Sequence, residues 1–359
     1  MTTPSPFLDV PPFPADRYAP LADRIKALLS TRNDIVFVQA EAILALEAAA
    51  TSLGRPGLKA LNVVTSPYGG YFGRWLQRAG ADVVTVDAEA GRPITASVVE
   101  AALAAHPDVA LIAVVHAETS SGILNPLPQI AVLAQACNAL LVVDAVASVG
   151  GHPLDGDGLG IDVCVVGAQK ALAGPAGLSM LSVSARAWAA MQPQPAPSSL
   201  SLLDLKANWL DKGRAVLPGM PSALEFWALD AALDRVEAET LPAVIARHAW
   251  AARATRQGLR LIGAELWVER DEEASTLATA VQVPEERAAG IVAEGRALGA
   301  ALSPGFGVIA SRIVRLEHTG QKASRTGVVA GLTAFAAAVG SNTPAPALAD
   351  LVFSTWPQV

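Results

Sequence analysis

The sequence predicts an α/β protein, with a mostly parallel sheet flanked by helices and then a smaller C-terminal α+β unit. Short β-branched runs alternate with Ala/Leu-rich stretches of helical period through the first two thirds of the chain. That is the pattern of strand–helix–strand units whose strands are buried on both faces. Beyond about residue 240 the alternation gives way to one long amphipathic helix and a few short strands. At 359 residues, 52% apolar and 16% charged, the chain is long and apolar enough for two units.

In order, residues 1–18 are Pro-rich and mixed polar, with no basic segment leading into an apolar run. They read as an arm lying on the fold or on a partner, not as a secretory signal. Strands are expected at 35–38, 61–65, 83–86, 109–115, 140–143, 163–166 and 178–183, and helices at 42–52, 96–105 and 127–136. Residues 66–70, Ser-Pro-Tyr-Gly-Gly, read as a turn. The Pro- and Ser-rich stretch 191–201 reads as a surface loop between the two units. Then come a helix at 241–259, strands at 276–283 and 312–317, and a helix after Pro284. The run 328–339 is too short to span a bilayer and reads as a buried helix. The division expected is arm 1–20, large unit 21–240 and small unit 241–359.

Composition excludes several functions. With 33 acidic and 26 basic residues the formal charge is −7, and no Lys/Arg cluster is present. A nucleic-acid or anionic-membrane role therefore has no electrostatic footprint. A cytoplasmic enzyme is expected. Cys137 and Cys164, both in apolar segments, read as reduced, buried thiols without a catalytic role. No metal site is read from the sequence.

Two residues carry the chemistry. Lys170 follows the apolar run Val163–Val166, and Asp144 ends the run beginning at Leu140. A poorly solvated lysine amine is neutral enough to attack an aldehyde and form a Schiff base. A carboxylate on a neighbouring strand end holds a pyridine nitrogen protonated, which keeps the ring an electron sink. Together they suit the two ends of a pyridoxal, although each residue type is common at strand ends.

The text around them resembles the class V aminotransferases, fold type I pyridoxal phosphate enzymes. The stretches are His116-Ala117-Glu118-Thr119-Ser120-Ser121-Gly122, Val143-Asp144-Ala145-Val146, Gly167-Ala168-Gln169-Lys170 and Arg315-Leu316-Glu317-His318-Thr319-Gly320, in the family's order, with Glu47 and the 68–75 segment. The resemblance implies that Tyr68 stacks on the ring, Thr119 meets the ring oxygen and Asp144 meets the ring nitrogen. Val146 and Gln169 join the cofactor contacts. It also implies that Lys170, once displaced by substrate, moves the proton, and that Arg315 grips the substrate carboxylate by a two-pronged hydrogen-bonded pair. His116 is expected to shape the strand end without shuttling protons. From the residues alone, Tyr68 could equally be a turn residue and Arg315 a surface arginine.

Departures from the family are as informative. A phosphate cup needs small residues and hydroxyls at a helix N-terminus. Here the matching place reads Gln39-Ala40-Glu41-Ala42, with a carboxylate and no hydroxyl, and Met220 stands where a threonine is expected. A small branch, pyridoxamine–pyruvate transaminase, has a similar glutamate and works on vitamin B6 without its phosphate. Glu41 is thus expected to read a 5′ hydroxyl, the alternative being an acidic residue that stabilises the helix dipole. Phe306 stands where that branch has a second arginine. Arg312 is expected on the opposite strand face from Arg315.

The function expected is a homodimeric transaminase exchanging an amino group between an amine, pyridoxamine foremost, and a small 2-oxo acid. The runner-up is an ordinary pyridoxal phosphate-dependent enzyme of the alanine–glyoxylate or serine–pyruvate kind. A non-catalytic pyridoxal-binding homologue ranks below, as do the family's lyases and desulfurases.

Overall fold

The structure, a computed structural model, describes residues 9–193 and 196–357. Its larger sheet has seven strands: β1 (Asp34–Val38), β2 (Lys59–Val64), β3 (Asp82–Asp87), β4 (Leu111–Val115), β5 (Leu140–Asp144), β6 (Val163–Gly167) and β7 (Ser179–Val183). Their order is β1-β7-β6-β5-β4-β2-β3, and only β7 runs antiparallel to its neighbours. β4 to β7 are buried along their whole length, which is why their sequences are unbroken apolar runs. Each expected strand is present, with ends shifted by one or two residues.

Flanking this sheet are α1 (Tyr18–Leu28), α2 (Ala42–Leu53), α3 (Pro67–Arg78), α4 (Ala96–Ala105), α5 (Leu127–Ala136), α6 (Ala185–Ala190), α7 (Leu202–Asn208) and α8 (Ala223–Glu239). The second unit holds α9 (Leu241–Ile262), β8 (Ala278–Gln282), α10 (Glu285–Ala297), β9 (Leu302–Pro304), β10 (Ile313–Glu317), α11 (Arg325–Ala338) and α12 (Ala345–Thr355). Its three strands form an antiparallel sheet in the order β8-β10-β9. The two sheets have separate apolar cores, and a small cluster of Ile123, Trp267, Ala280 and Ile313 joins them. We propose the domain boundary at Thr240, whose φ of +72° breaks α8 from α9, with Pro242 fitting the free first turn of α9.

Four expectations need correction. Residues 66–70 begin a helix: Ser66 caps α3 by accepting from Tyr68 N at 3.2 Å, with Pro67 at its first position. The segment 191–201, of which 194–195 lie outside the described residues, does not join the two units. It leads into α7, whose Leu202 and Leu205 are buried in the core of the larger sheet. Cys137 is exposed, because it falls at the C-cap of α5 where the apolar face has ended; Cys164 is buried as expected. Lys170 lies in the turn after β6 rather than at the strand end itself.

Of the N-terminal arm, residues 1–8 lie outside the described residues. The next ones lie on the fold: Phe13 is buried against Tyr18 and Phe226, and Trp227 Nε1 donates to Pro11 O at 2.8 Å.

Candidate active site

In a parallel sheet the helix N-termini and connecting loops gather beyond the carboxyl ends of the strands, and ligands bind there. Thr119 follows β4, Asp144 closes β5 and Lys170 follows β6, and β4, β5 and β6 are adjacent. Glu41, Tyr68, Thr119, Asp144, Val146, Gln169 and Lys170 all line one cavity of about 160 Å³. Seven of the eight sequence-selected residues therefore converge. Arg315, the eighth, stands at the cavity's edge on β10, where its Nη1 donates to Thr119 O at 2.5 Å. A larger cavity of about 530 Å³ lies beyond Ser120 and Phe306, but no lysine lines it. The reactive amine belongs to the smaller cavity.

Lys170 Nζ donates to Thr119 Oγ1 at 3.0 Å. Burial lowers its pKa, against the opposing charges of Glu317, Glu41 and Asp144. Asp144 is buried, and its Oδ1 accepts from Val146 N at 2.9 Å. Burial pushes its pKa up to about 6, while the Val146 amide and Lys170 pull it down. A cation delivered to this carboxylate, such as a protonated pyridine nitrogen, would relieve the cost of burying it.

Tyr68 hangs over the cavity from the first turn of α3. The first two turns of α3 lie tight on β2: a Cβ on Gly69 would sit 2.9 Å from Val63 O, and one on Gly73 would sit 2.4 Å from Asn62 Nδ2. Glycines therefore set the height of the Tyr68 ring. On its other side the ring stacks on Phe306, with centroids 5.6 Å apart and planes 8° from parallel.

At the α2 end, Glu41 is the N-cap residue. Its Oε2 accepts from Ile43 N at 2.8 Å, and its Oε1 accepts from Gln169 Nε2 at 2.8 Å. This one side chain caps the helix, one position before its first turn, and also lines the cavity. The amide of Ile43, which a phosphate cup would leave free, is occupied. Gln169 Oε1 is buried with no donor among the described residues. The open group at this end, among the described residues, is therefore an acceptor. Gln39 braces the same corner, accepting from Ser222 N at 3.0 Å and donating to Pro218 O at 3.3 Å; Met220 between them is 92% exposed.

Arg315 also donates from Nε to Pro304 O at 2.7 Å, and its Nη2 lies 3.7 Å from Glu317 Oε1. Arg312 precedes β10, exposed and stacked on Trp267 at 5.8 Å, and plays no part in this grouping. His116 is buried with its pKa down to about 4 through burial, so the imidazole is neutral and Nδ1 has no partner among the described residues.

One wall residue was given no role from sequence. Glu118 is fully buried, accepting from Thr65 Oγ1 at 3.1 Å and Ser120 Oγ at 3.3 Å. Burial, aided by the charge of Asp144, pushes its pKa to about 7 against those hydroxyls and that of Ser66. The signal available was a carboxylate three residues beyond a wholly apolar strand.

An aspartate closing one strand and a lysine in the turn after its neighbour, beneath an aromatic ring and beside an arginine, form a site of the pyridoxal-dependent kind on a mostly parallel sheet. The chain matches the family Aminotransferase class-V over residues 16–305, and it belongs to that family. It is a transaminase, and class V enzymes of this fold use pyridoxal phosphate. Among its relatives, the pyridoxamine–pyruvate transaminase of Mesorhizobium japonicum is 36% identical over 90% of this chain and 83% of its own. The serine–glyoxylate aminotransferase of Methylorubrum extorquens is 30% identical over 75% and 70%. The crystal structure of pyridoxamine–pyruvate aminotransferase from Mesorhizobium loti superposes with a TM-score of 0.88 at 33% identity, covering 95% of this chain and 88% of that one.

Proposed function

We propose that this transaminase moves the amino group of unphosphorylated pyridoxamine to a small 2-oxo acid. The observation that carries the proposal is the Glu41–Gln169 pair, which closes the α2 end of the cavity with acceptors. A phosphate dianion there would meet a carboxylate at short range, costing about 4 kcal/mol per unit charge at 4 Å and an effective dielectric near 20, before solvent screening. A 5′ hydroxyl donates instead.

When bound, the B6 ring supplies a carbonyl or amine carbon and an electron sink. The chain's own residues do the rest. Asp144 holds the ring nitrogen's proton. Tyr68 covers one ring face and keeps water from it. Thr119 orients the Lys170 amine through its hydroxyl. Lys170, desolvated and held by Thr119, would take up and return a proton at Nζ. Arg315 receives the carboxylate of the 2-oxo acid, exchanging its hold on backbone carbonyls for a charged partner.

A cytoplasmic homodimer belongs to the same proposal. Exposed apolar side chains, Met220 in the turn held by Gln39 and Val308 on the larger cavity, support the dimer, and the two free thiols support a reducing compartment. Among the described residues no helix is long and apolar enough to cross a membrane.

The test is turnover of pyridoxamine with pyruvate or glyoxylate, followed by the appearance of pyridoxal, beside the same assay with pyridoxamine phosphate. Turnover confined to the unphosphorylated amine supports the proposal. Turnover confined to the phosphate returns the protein to the alanine–glyoxylate or serine–pyruvate kind of chemistry.

A further inference from the structure

Resting on the assignment of Arg315 as the carboxylate clamp, we propose that Glu317 is a charge filter that restricts the acceptor to 2-oxo acids with a single carboxylate. Side chains two apart on a strand share a face. On β10, Val314 and Leu316 are buried in the core of the small sheet, while Arg315 and Glu317 both turn toward the larger sheet, half-buried. Glu317 is held there. Ser303, the β9 partner of Arg315, donates to Glu317 Oε1 at 2.7 Å. Lys322 Nζ lies 3.6 Å from Oε2, and Arg315 Nη2 lies 3.7 Å from Oε1.

The charge balance of this corner follows. Arg315 and Lys322 are positive and Glu317 is negative, leaving one positive charge in excess, which a single carboxylate satisfies. Lys170 is committed to the reacting carbon, and Glu317 is the carboxylate that acts most strongly on its amine. Phe306, two residues beyond the Pro304 carbonyl that holds Arg315 and stacked on Tyr68, is uncharged and 41% exposed. A second substrate carboxylate, two or three carbons from the first, falls in the field of Glu317, whose own neighbouring cations are Arg315 and Lys322. Like charges brought together in a partly dry site discriminate strongly between ligands.

The experiment compares kcat/KM for pyruvate and glyoxylate with that for oxaloacetate and 2-oxoglutarate, in the wild type, Glu317→Gln and Arg315→Gln. Whichever of pyridoxamine and its phosphate supports turnover serves as donor, so the outcome does not depend on Glu41. The wild type is expected to favour the monocarboxylic acids, and Glu317→Gln to narrow that preference by about tenfold or more, chiefly by lowering KM for the dicarboxylic acids. Arg315→Gln is expected to raise KM for both kinds. A wild type that uses both kinds equally overturns the proposal without any variant. If Arg315→Gln raises KM while Glu317→Gln lowers use of both kinds in parallel, the clamp stands and Glu317 is only its prop. If Arg315→Gln leaves every KM unchanged, the clamp itself fails and the filter with it.

Discussion

Gln169 Nε2 donates to Glu41 Oε1 across 2.8 Å, joining the turn that carries Lys170 to the first turn of α2. Both oxygens of Glu41 are engaged, one by this amide and one by Ile43 N. Replacement by alanine therefore removes a helix cap and a ligand contact together. Glu41→Ala is expected to lower stability by about 0.5–2 kcal/mol and to erase the preference for the unphosphorylated ligand. Thermal melts and paired pyridoxal and pyridoxal phosphate titrations read the two effects separately. Glu41→Gln keeps the shape, so it should cost less stability while relaxing the preference in the same direction.

The hydroxyl of Thr119 accepts from Lys170 and its carbonyl accepts from Arg315. Thr119→Val keeps the carbonyl and loses the hydroxyl. It should reduce kcat by about 10- to 100-fold, the loss being one of orientation, with a smaller change in KM for the 2-oxo acid. Thr119→Ser should restore most of the rate. A large KM effect from Thr119→Val would instead place the hydroxyl on the carboxylate side of the reaction.

Glu118 is a carboxyl whose folded-state pKa, about 7, lies above its ordinary value of 4.5. Between those values the folded chain binds more protons than the unfolded one, so stability falls as pH rises through that window. Glu118→Gln cannot ionise. Its melting temperature relative to wild type should rise from pH 5 to pH 8, corresponding to at most about 3 kcal/mol. A constant difference across that range would mean that the carboxyl does not titrate there. Asp144 contributes in the same sense, with its pKa near 6.

Gly73→Ala would bring a Cβ to 2.4 Å from Asn62 Nδ2, whose amide also donates to Gly69 O at 2.9 Å. Either α3 shifts or the Asn62 amide moves and gives up its bond to Gly69 O, and both loosen the turn that carries Tyr68. A loss of about 1–3 kcal/mol in stability is expected, together with weaker ligand binding. Gly70→Ala, whose Cβ would meet only Arg74 Nη1 at 3.5 Å, should change neither much.

The parallel sheet was legible because β4 to β7 are buried on both faces and so are written as apolar runs. Asp144 and Lys170 were legible because each interrupts or follows such a run. The start of α3 was misread because Ser66, Pro67 and two glycines are turn residues by type; the helix begins there through Ser66's cap and the close approach of Gly69 and Gly73 to β2. β9, three residues long, is too short to show a period, yet it supplies the Ser303 that orients Glu317. Glu118 passed without a role because a carboxylate after a strand is unremarkable until its burial is known.

The measurement that bears most directly on the central claim is a titration of the purified protein, freed of B6, with pyridoxal and separately with pyridoxal phosphate. Borohydride reduction and peptide mass then locate the adduct. Tight labelling of Lys170 by pyridoxal with weak labelling by the phosphate is the result expected of a cavity closed by Glu41 and Gln169. Preferential labelling by the phosphate would contradict it, and would mean that this end of the cavity receives the dianion despite the carboxylate.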